Sequence, residues 1–265
     1  MLLNSVILVL GEILESALLV SLLLVVSRVC RLGQLWALVG IIAGLGGAMM
    51  YATFLAPISQ WFDYVGQEVV NAGLQIMVYS LLVMLAVGFY RFRDSPRQLF
   101  AMRSIMILMV ALTIAREGSE IFIHGAGLTG SSSRMSSFIL GGCLGAGIGI
   151  STGTLLYYSV LSFPVRWWLR ITLPLLALFG ANMVAQATGL LIQADWLPSL
   201  APLWDSSDWL TENSVAGQLL FALIGYEATP SSLQVGTYLL SFFLLLPLLL
   251  GSQTHLTSSR LNHHE

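Results

Sequence analysis

The stretch SIMILMVALTIAREGSEIFIHG, residues 104–125, decides the fold. It is long enough to cross a bilayer, which takes about 20 mostly apolar residues, yet it carries Arg116, Glu117 and Glu120, with His124 near its end. A charge at mid-bilayer costs at least about 2.5–3.5 kcal/mol, so charges kept inside such a run have work to do. Six further stretches qualify as spans, at about 3–27, 35–57, 71–90, 137–162, 171–192 and 233–250. The chain has 265 residues, of which 57% are hydrophobic and 9% charged, far below the roughly one-quarter charged residues of a soluble domain. The sequence therefore predicts an all-α polytopic membrane protein, a single domain of seven transmembrane helices in the lipid bilayer.

Charge placement predicts orientation. All eleven basic residues are arginine. Arg28 and Arg31 follow the first span; Arg91, Arg93, Arg97 and Arg103 lie between the third and fourth; Arg166 and Arg170 lie between the fifth and sixth; Arg260 is in the tail. With seven alternating spans these nine share one side, and short cytoplasmic loops are the ones that retain Lys and Arg. The expectation is a multi-pass protein of the cell inner (plasma) membrane with its N-terminus outside and its C-terminus cytoplasmic. The opposite side carries Asp63, Glu68, Asp195, Asp205, Asp208, Glu212 and Glu227 against Arg134 alone. Such a face concentrates cations, although acidic residues also simply fill a side that arginine avoids. The net charge of −2 gives no reason to expect a nucleic-acid partner.

The first 27 residues have no basic n-region and are interrupted by two glutamates, so they read as a retained span rather than a cleaved signal. Cys30 and Cys143 lie far apart in apolar surroundings and read as packing residues. The segment 193–232, with Trp196, Trp204 and Trp209 among acidic residues, reads as a loop on the outer membrane surface. Gly40 and Gly44 in the second span, and Gly141, Gly145, Gly149 and Gly153 in the fifth, recur every fourth residue, the spacing of a helix-packing seam.

Glu12 and Glu15 in the first span repeat the spacing of Glu117 and Glu120 in the fourth. At i,i+3 each pair projects from one helix face. The match predicts two inverted three-helix repeats, about 1–95 and 100–195, followed by the outer loop 193–232, a last helix 233–250 and a tail 251–265. Transporters place their site at such a repeat interface near mid-membrane. Two facing carboxylate pairs make an oxygen-rich site suited to a hard cation, and Fe(III) would gain most from it. Arg116 would partly neutralise the empty site and hold Glu117 or a partner carboxylate in place. His124 could add a nitrogen ligand or act as an interface residue. Asn182 and Gln186, one turn apart on the sixth span, could bond across the bundle or offer carbonyl oxygens to an ion. Met49, Met50, Met102, Met106 and Met109 read as lipid-facing or packing residues, and His255, His263 and His264 in the tail support no site.

At Arg116-Glu117-Gly118-Ser119-Glu120 the chain resembles the high-affinity iron permease family, the oxidase-dependent and bacterial iron transporters marked by an Arg-Glu-x-x-Glu motif in the first and fourth of seven helices. The C-terminal third is similar too, from Gly189-Leu190 through Trp196-Leu197-Pro198, Leu203-Trp204-Asp205 and Gly217-Gln218-Leu219-Leu220 to Gly225-Tyr226 and Pro230-Ser231. The resemblance implies that Glu12, Glu15, Glu117 and Glu120 bind iron in passage, as Fe(II) or Fe(III), with iron the transported substrate and no tightly bound cofactor. It also implies an extracytoplasmic iron-oxidising or iron-binding partner. Gly11 departs from the pattern, standing where the family has its first arginine; the site then has one positive charge fewer, which favours proton uptake when it is empty.

The chain has no phosphate loop, so energy for transport would come from gradients, membrane potential or a partner. Two alternatives stay open: a proton-coupled transporter of another divalent metal, and a non-transporting membrane assembly subunit. An intramembrane enzyme finds no HExxH motif and no paired transmembrane histidines for haem.

Overall fold

Each apolar run becomes a helix longer than the run itself, because the stop and start signals lie outside the apolar part. In the computed structural model, which describes residues 2–30, 32–90, 95–128, 132–212 and 214–261 (side chains of 90, 132–133 and 252–261 excepted), the helices are α1 (Leu2–Val29), α2 (Leu35–Ser59), α3 (Trp61–Tyr64), α4 (Gly66–Tyr90), α5 (Pro96–Ala126), α6 (Ser132–Ser162), α7 (Val165–Gln193), α8 (Val215–Ile224) and α9 (Ser232–Leu261). Arg31, Arg91, Arg93, His263 and His264, and the side chains of His255 and Arg260, lie outside the described residues. The fourth span shows the extension clearly. Ser95 caps α5 by accepting from the Gln98 amide at 3.4 Å, with Pro96 in the first turn, so the helix starts well before the apolar run at 104. Seven helices, α1, α2, α4, α5, α6, α7 and α9, are long and apolar enough to cross a membrane, and the described residues form no strand beyond an isolated Pro202–Ser231 bridge. The protein is an all-α, multi-pass membrane protein.

Glycine decides which helices touch. A Cβ on Gly141, Gly145 or Gly149 of α6 would meet Ser5, Val6 or Ile13 of α1, and one on Gly153 would meet Ala17. On the other side, Gly40, Gly44 and Gly47 of α2 face Val110, Ile114 and Ala115 of α5. Residue numbers rise together in both pairs, so α1 runs parallel to α6 and α2 parallel to α5. In lipid no hydrophobic force draws helices together, and close backbone approach at small residues supplies the attraction instead. The first span is thus seamed to the fifth, and the fourth to the second. The third spans, α4 and α7, contact each other, and α9 closes against both.

The chain alternates between two ends. At the acidic end α2 turns into α4 through α3, where Phe62, Asp63 and Tyr64 take left-handed φ values of 53°, 62° and 72°; L-residues adopt these at a cost of roughly 1–2 kcal/mol each. Phe62 stacks edge-on to Trp196 at 5.4 Å, linking this turn to the segment after α7. The arginine half is filled with apolar side chains, among them Leu23 and Val26 of α1, Leu85 and Phe89 of α4, Met106 and Met109 of α5, Leu173 of α7 and Leu245 of α9.

Two expectations change. The segment 193–232 is not merely a surface loop: α8 lies within it, capped by Ser214 accepting from the Gly217 amide at 3.0 Å and ended by Gly225 at φ 70°. Its ten residues are too short to register as a span, but they have an apolar face to bury, and Ala222 packs with Leu10, Leu14 and Leu18 of α1. Trp196, Trp204 and Trp209 around it are exposed. Cys143 is exposed on α6, whereas Cys30 is buried. Met49 and Met50 face outward and Met102, Met106 and Met109 are core.

Candidate functional site

The two carboxylate pairs come together where α1 meets α5. Helical periodicity puts Glu12 and Glu15 on the face of α1 away from its α6 seam, and Glu117 and Glu120 on the face of α5 away from its α2 seam. Arg116 joins them: its Nη1 pairs with Glu117 Oε1 at 2.5 Å and Glu15 Oε2 at 3.6 Å, and its Nη2 with Glu120 Oε1 at 3.5 Å. The Glu12 carboxyl hydrogen-bonds that of Glu117. Glu15, Arg116 and Glu117 are buried, while Glu12 and Glu120 are half-buried. The carboxyls surround the guanidinium rather than an open shared centre, and among the described residues no three of His, Cys, Asp and Glu form a ready metal cage. The reason is electrostatic: four gathered carboxyls without a counter-charge repel one another, and among the described residues the one cation within reach is Arg116.

The remaining singled-out residues divide. Gln186 belongs to the site, donating from Nε2 to Glu15 Oε1 at 3.0 Å. Asn182 does not; its amide donates to the Phe221 carbonyl at 3.0 Å and holds α8 to α7. His124 lies beyond Glu120, with Nδ1 2.8 Å from the Glu120 carbonyl oxygen. It lines a cavity of about 180 Å³ at the acidic end together with Glu68, Asn71, Glu120 and Gln193. This cavity leads from the acidic face to Glu120, the most exposed of the carboxyls that pair with Arg116, with 24% of its side chain accessible.

Four site residues escaped the sequence reading. Asn71 donates to Glu120 Oε1 at 3.3 Å and accepts from the Tyr51 hydroxyl at 2.8 Å. Gln75 donates to Gln186 Oε1 at 2.6 Å, completing a relay to Glu15. Asn71 and Gln75 are spaced on α4 as Asn182 and Gln186 are on α7, and that repeated Asn-x-x-x-Gln was the signal available. Gln218 of α8 had no such signal. Its side-chain oxygen lies against Gly11, in the space that any side chain at that position would enter.

No family profile, curated protein or solved structure matches this chain. Glu15 Oε2 accepts no hydrogen bond and meets Arg116 only as an ion pair at 3.6 Å. Four carboxyls against one guanidinium leave an excess of negative charge that protons or a cation can balance.

Proposed function

We propose that this protein is a permease that carries a hard metal cation, iron foremost, from the acidic face to the arginine-rich face of the inner membrane. The observation that carries the proposal is the gathering of four carboxyls from two different spans around one arginine, at the foot of a polar cavity. The cation enters past Glu68 and His124, meets Glu120 first, and exchanges places with the guanidinium among Glu12, Glu15 and Glu117. Oxygen ligands and surplus negative charge suit Fe(II) or Fe(III) better than a soft ion. The resemblance of Arg116-Glu117-Gly118-Ser119-Glu120 to the iron permease motif supports iron over other metals. With the arginine-rich face cytoplasmic, an inside-negative potential of 100 mV contributes about 2.3 kcal/mol per charge moved. The acidic face, with its exposed tryptophans, is where an iron-oxidising or iron-delivering partner would dock.

The test is radioactive iron uptake into proteoliposomes, run as Fe(II) and as Fe(III), for the wild type and for Glu117→Gln combined with Glu120→Gln. The expected result is saturable uptake that the double substitution abolishes in folded protein. Unchanged uptake in the double variant refutes a carboxylate pathway. Absence of uptake by the wild type alone favours an assembly subunit, and stronger competition by another divalent metal reassigns the substrate.

A further inference from the structure

The segment that joins α8 to α9 and the first two turns of α9 border a cavity of about 270 Å³ at the acidic end, and no residue of the carboxylate site lines it. Three aromatic side chains, Trp204, Tyr226 and Tyr238, wall it together with one carboxyl, Glu227. The tyrosine hydroxyls are engaged elsewhere: Tyr226 donates to the Leu210 carbonyl at 2.9 Å and Tyr238 to the Ile224 carbonyl at 2.6 Å. Their rings are therefore fixed walls. Glu227 is fixed as well, because Gln234 Nε2 donates to both of its oxygens, at 3.0 and 2.8 Å, while Gln234 Oε1 accepts from the Ser231 amide at 2.9 Å. A carboxylate has about four acceptor positions, so one amide group leaves Glu227 with capacity to spare. Among the described residues no cationic side chain pairs with it. Negative charge beside aromatic rings is the setting that attracts an organic cation, and the cavity has none of its own.

The apolar part of the wall says what carries that cation. Val235 and Leu239 of α9 complete the lining. Leu239 and Phe243, four residues apart on that helix, are 46% and 65% exposed, so an apolar stripe runs from the cavity along a membrane span toward the bilayer interior. A small soluble amine would use the cavity alone; a lipid uses the cavity and the stripe. We propose that this cavity holds the headgroup of a phospholipid with a primary ammonium, of the phosphatidylethanolamine type, its ammonium at Glu227 among the three aromatic residues and an acyl chain along Leu239 and Phe243. A primary ammonium donates N–H bonds to the Glu227 oxygens, which the trimethylated choline headgroup cannot do. An anionic headgroup meets repulsion from Glu227 and from neighbouring Glu212, which accepts from the Ala228 amide at 2.6 Å. The site does not depend on what the bundle transports.

The test titrates delipidated protein in detergent with phosphatidylethanolamine, phosphatidylcholine and phosphatidylglycerol of identical chains and counts bound lipid by native mass spectrometry. The wild type should bind one phosphatidylethanolamine at least tenfold more tightly than either of the others. Glu227→Gln, which keeps the shape and removes the charge, should bring the three lipids within threefold. Trp204→Leu, at a position 46% exposed and so tolerant of change, should weaken phosphatidylethanolamine at least fivefold. Equal binding of the ethanolamine and choline lipids by the wild type overturns the site, as does a preference that survives undiminished in either variant. Displacement of the bound lipid by millimolar phosphoethanolamine overturns the lipid assignment in favour of a soluble amine.

Discussion

The helix pair α1/α6 and the pair α5/α2 are built alike and charged differently. Both are parallel, both are seamed by glycines every fourth residue, and both present two glutamates at i,i+3 to the centre of the bundle. Only α5 sets an arginine directly beside its glutamates, where α1 has Gly11. α5 borders the cavity that leads to Glu120, whereas α1 is covered by α8 at the level of Gly11, where Gln218 lies over that glycine. The seams match and the charges do not: α5 brings the arginine to the cluster, and α1 adds carboxyls without one.

That contrast breaks most readily at the carboxyls. Glu117→Gln should lower iron uptake at least about 100-fold, because it strips a fully buried arginine of its closest partner, and breaking one side of such a pair costs about 3–5 kcal/mol. Glu12→Gln, half-buried and without an ion pair to Arg116, should lower uptake only about tenfold. Equal losses per folded protein would mean that the halves are functionally as well as structurally symmetric.

The seams sharpen the comparison next. A Cβ at Gly145 falls 2.5 Å from the Val6 carbonyl oxygen and 2.9 Å from the Leu10 amide, both backbone. At Gly44 it falls 2.6 Å from Ile114 Cβ, which the backbone fixes, and 3.1 Å from the Ala111 carbonyl oxygen. Overpacking costs typically about 1–3 kcal/mol, so Gly145→Ala and Gly44→Ala should both sit near the top of that range, measured by reversible unfolding in mixed micelles, and a clear difference between them would mean that the two seams are not equally tight. Restoring a large side chain at position 11 probes the covered side. Gly11→Arg should displace Gln218 and cost about 1–2 kcal/mol by the same overpacking, and adding Gln218→Ala should recover part of it.

The smallest effect concerns the hinge between α8 and α9. Burial pushes the Glu227 carboxyl above the usual carboxylate range, with the Gln234 amide opposing and the charge of Glu212 adding to the rise. A folded state that holds its proton more tightly than the unfolded one is favoured at acidic pH and loses that advantage as pH rises through the raised value. Hydrogen exchange of the amides at 225–231, corrected for intrinsic rates, should therefore be slower at pH 5 than at pH 7. Glu227→Gln should flatten the difference.

The sequence made the fold legible wherever a run of apolar residues exceeded the bilayer thickness, and the site wherever a charge interrupted such a run. Glu12, Glu15, Arg116, Glu117 and Glu120 declare themselves by what burying them costs. Asn71 and Gln75 declare themselves less plainly, because neutral polar residues are common in membrane helices and only the spacing they share with Asn182 and Gln186 sets them apart. The helix α8 is invisible to a span-length criterion, since ten apolar residues cannot cross. The cover that Gln218 places over Gly11 joins residues far apart in the chain, and no local pattern encodes it.

The crossed seams also have a consequence for how the protein is made. α1 ends at Val29 and its mate α6 begins only at Ser132. At about 5–20 residues per second the ribosome needs on the order of 5–20 s to bridge that interval. Through that time the first helix, with its two glutamates, waits in the membrane before the arginine and the glycine surface that will receive it have been synthesised. The nascent chain, rather than the finished bundle, is thus the form most open to membrane proteases, and translation that stalls before residue 132 prolongs the exposure.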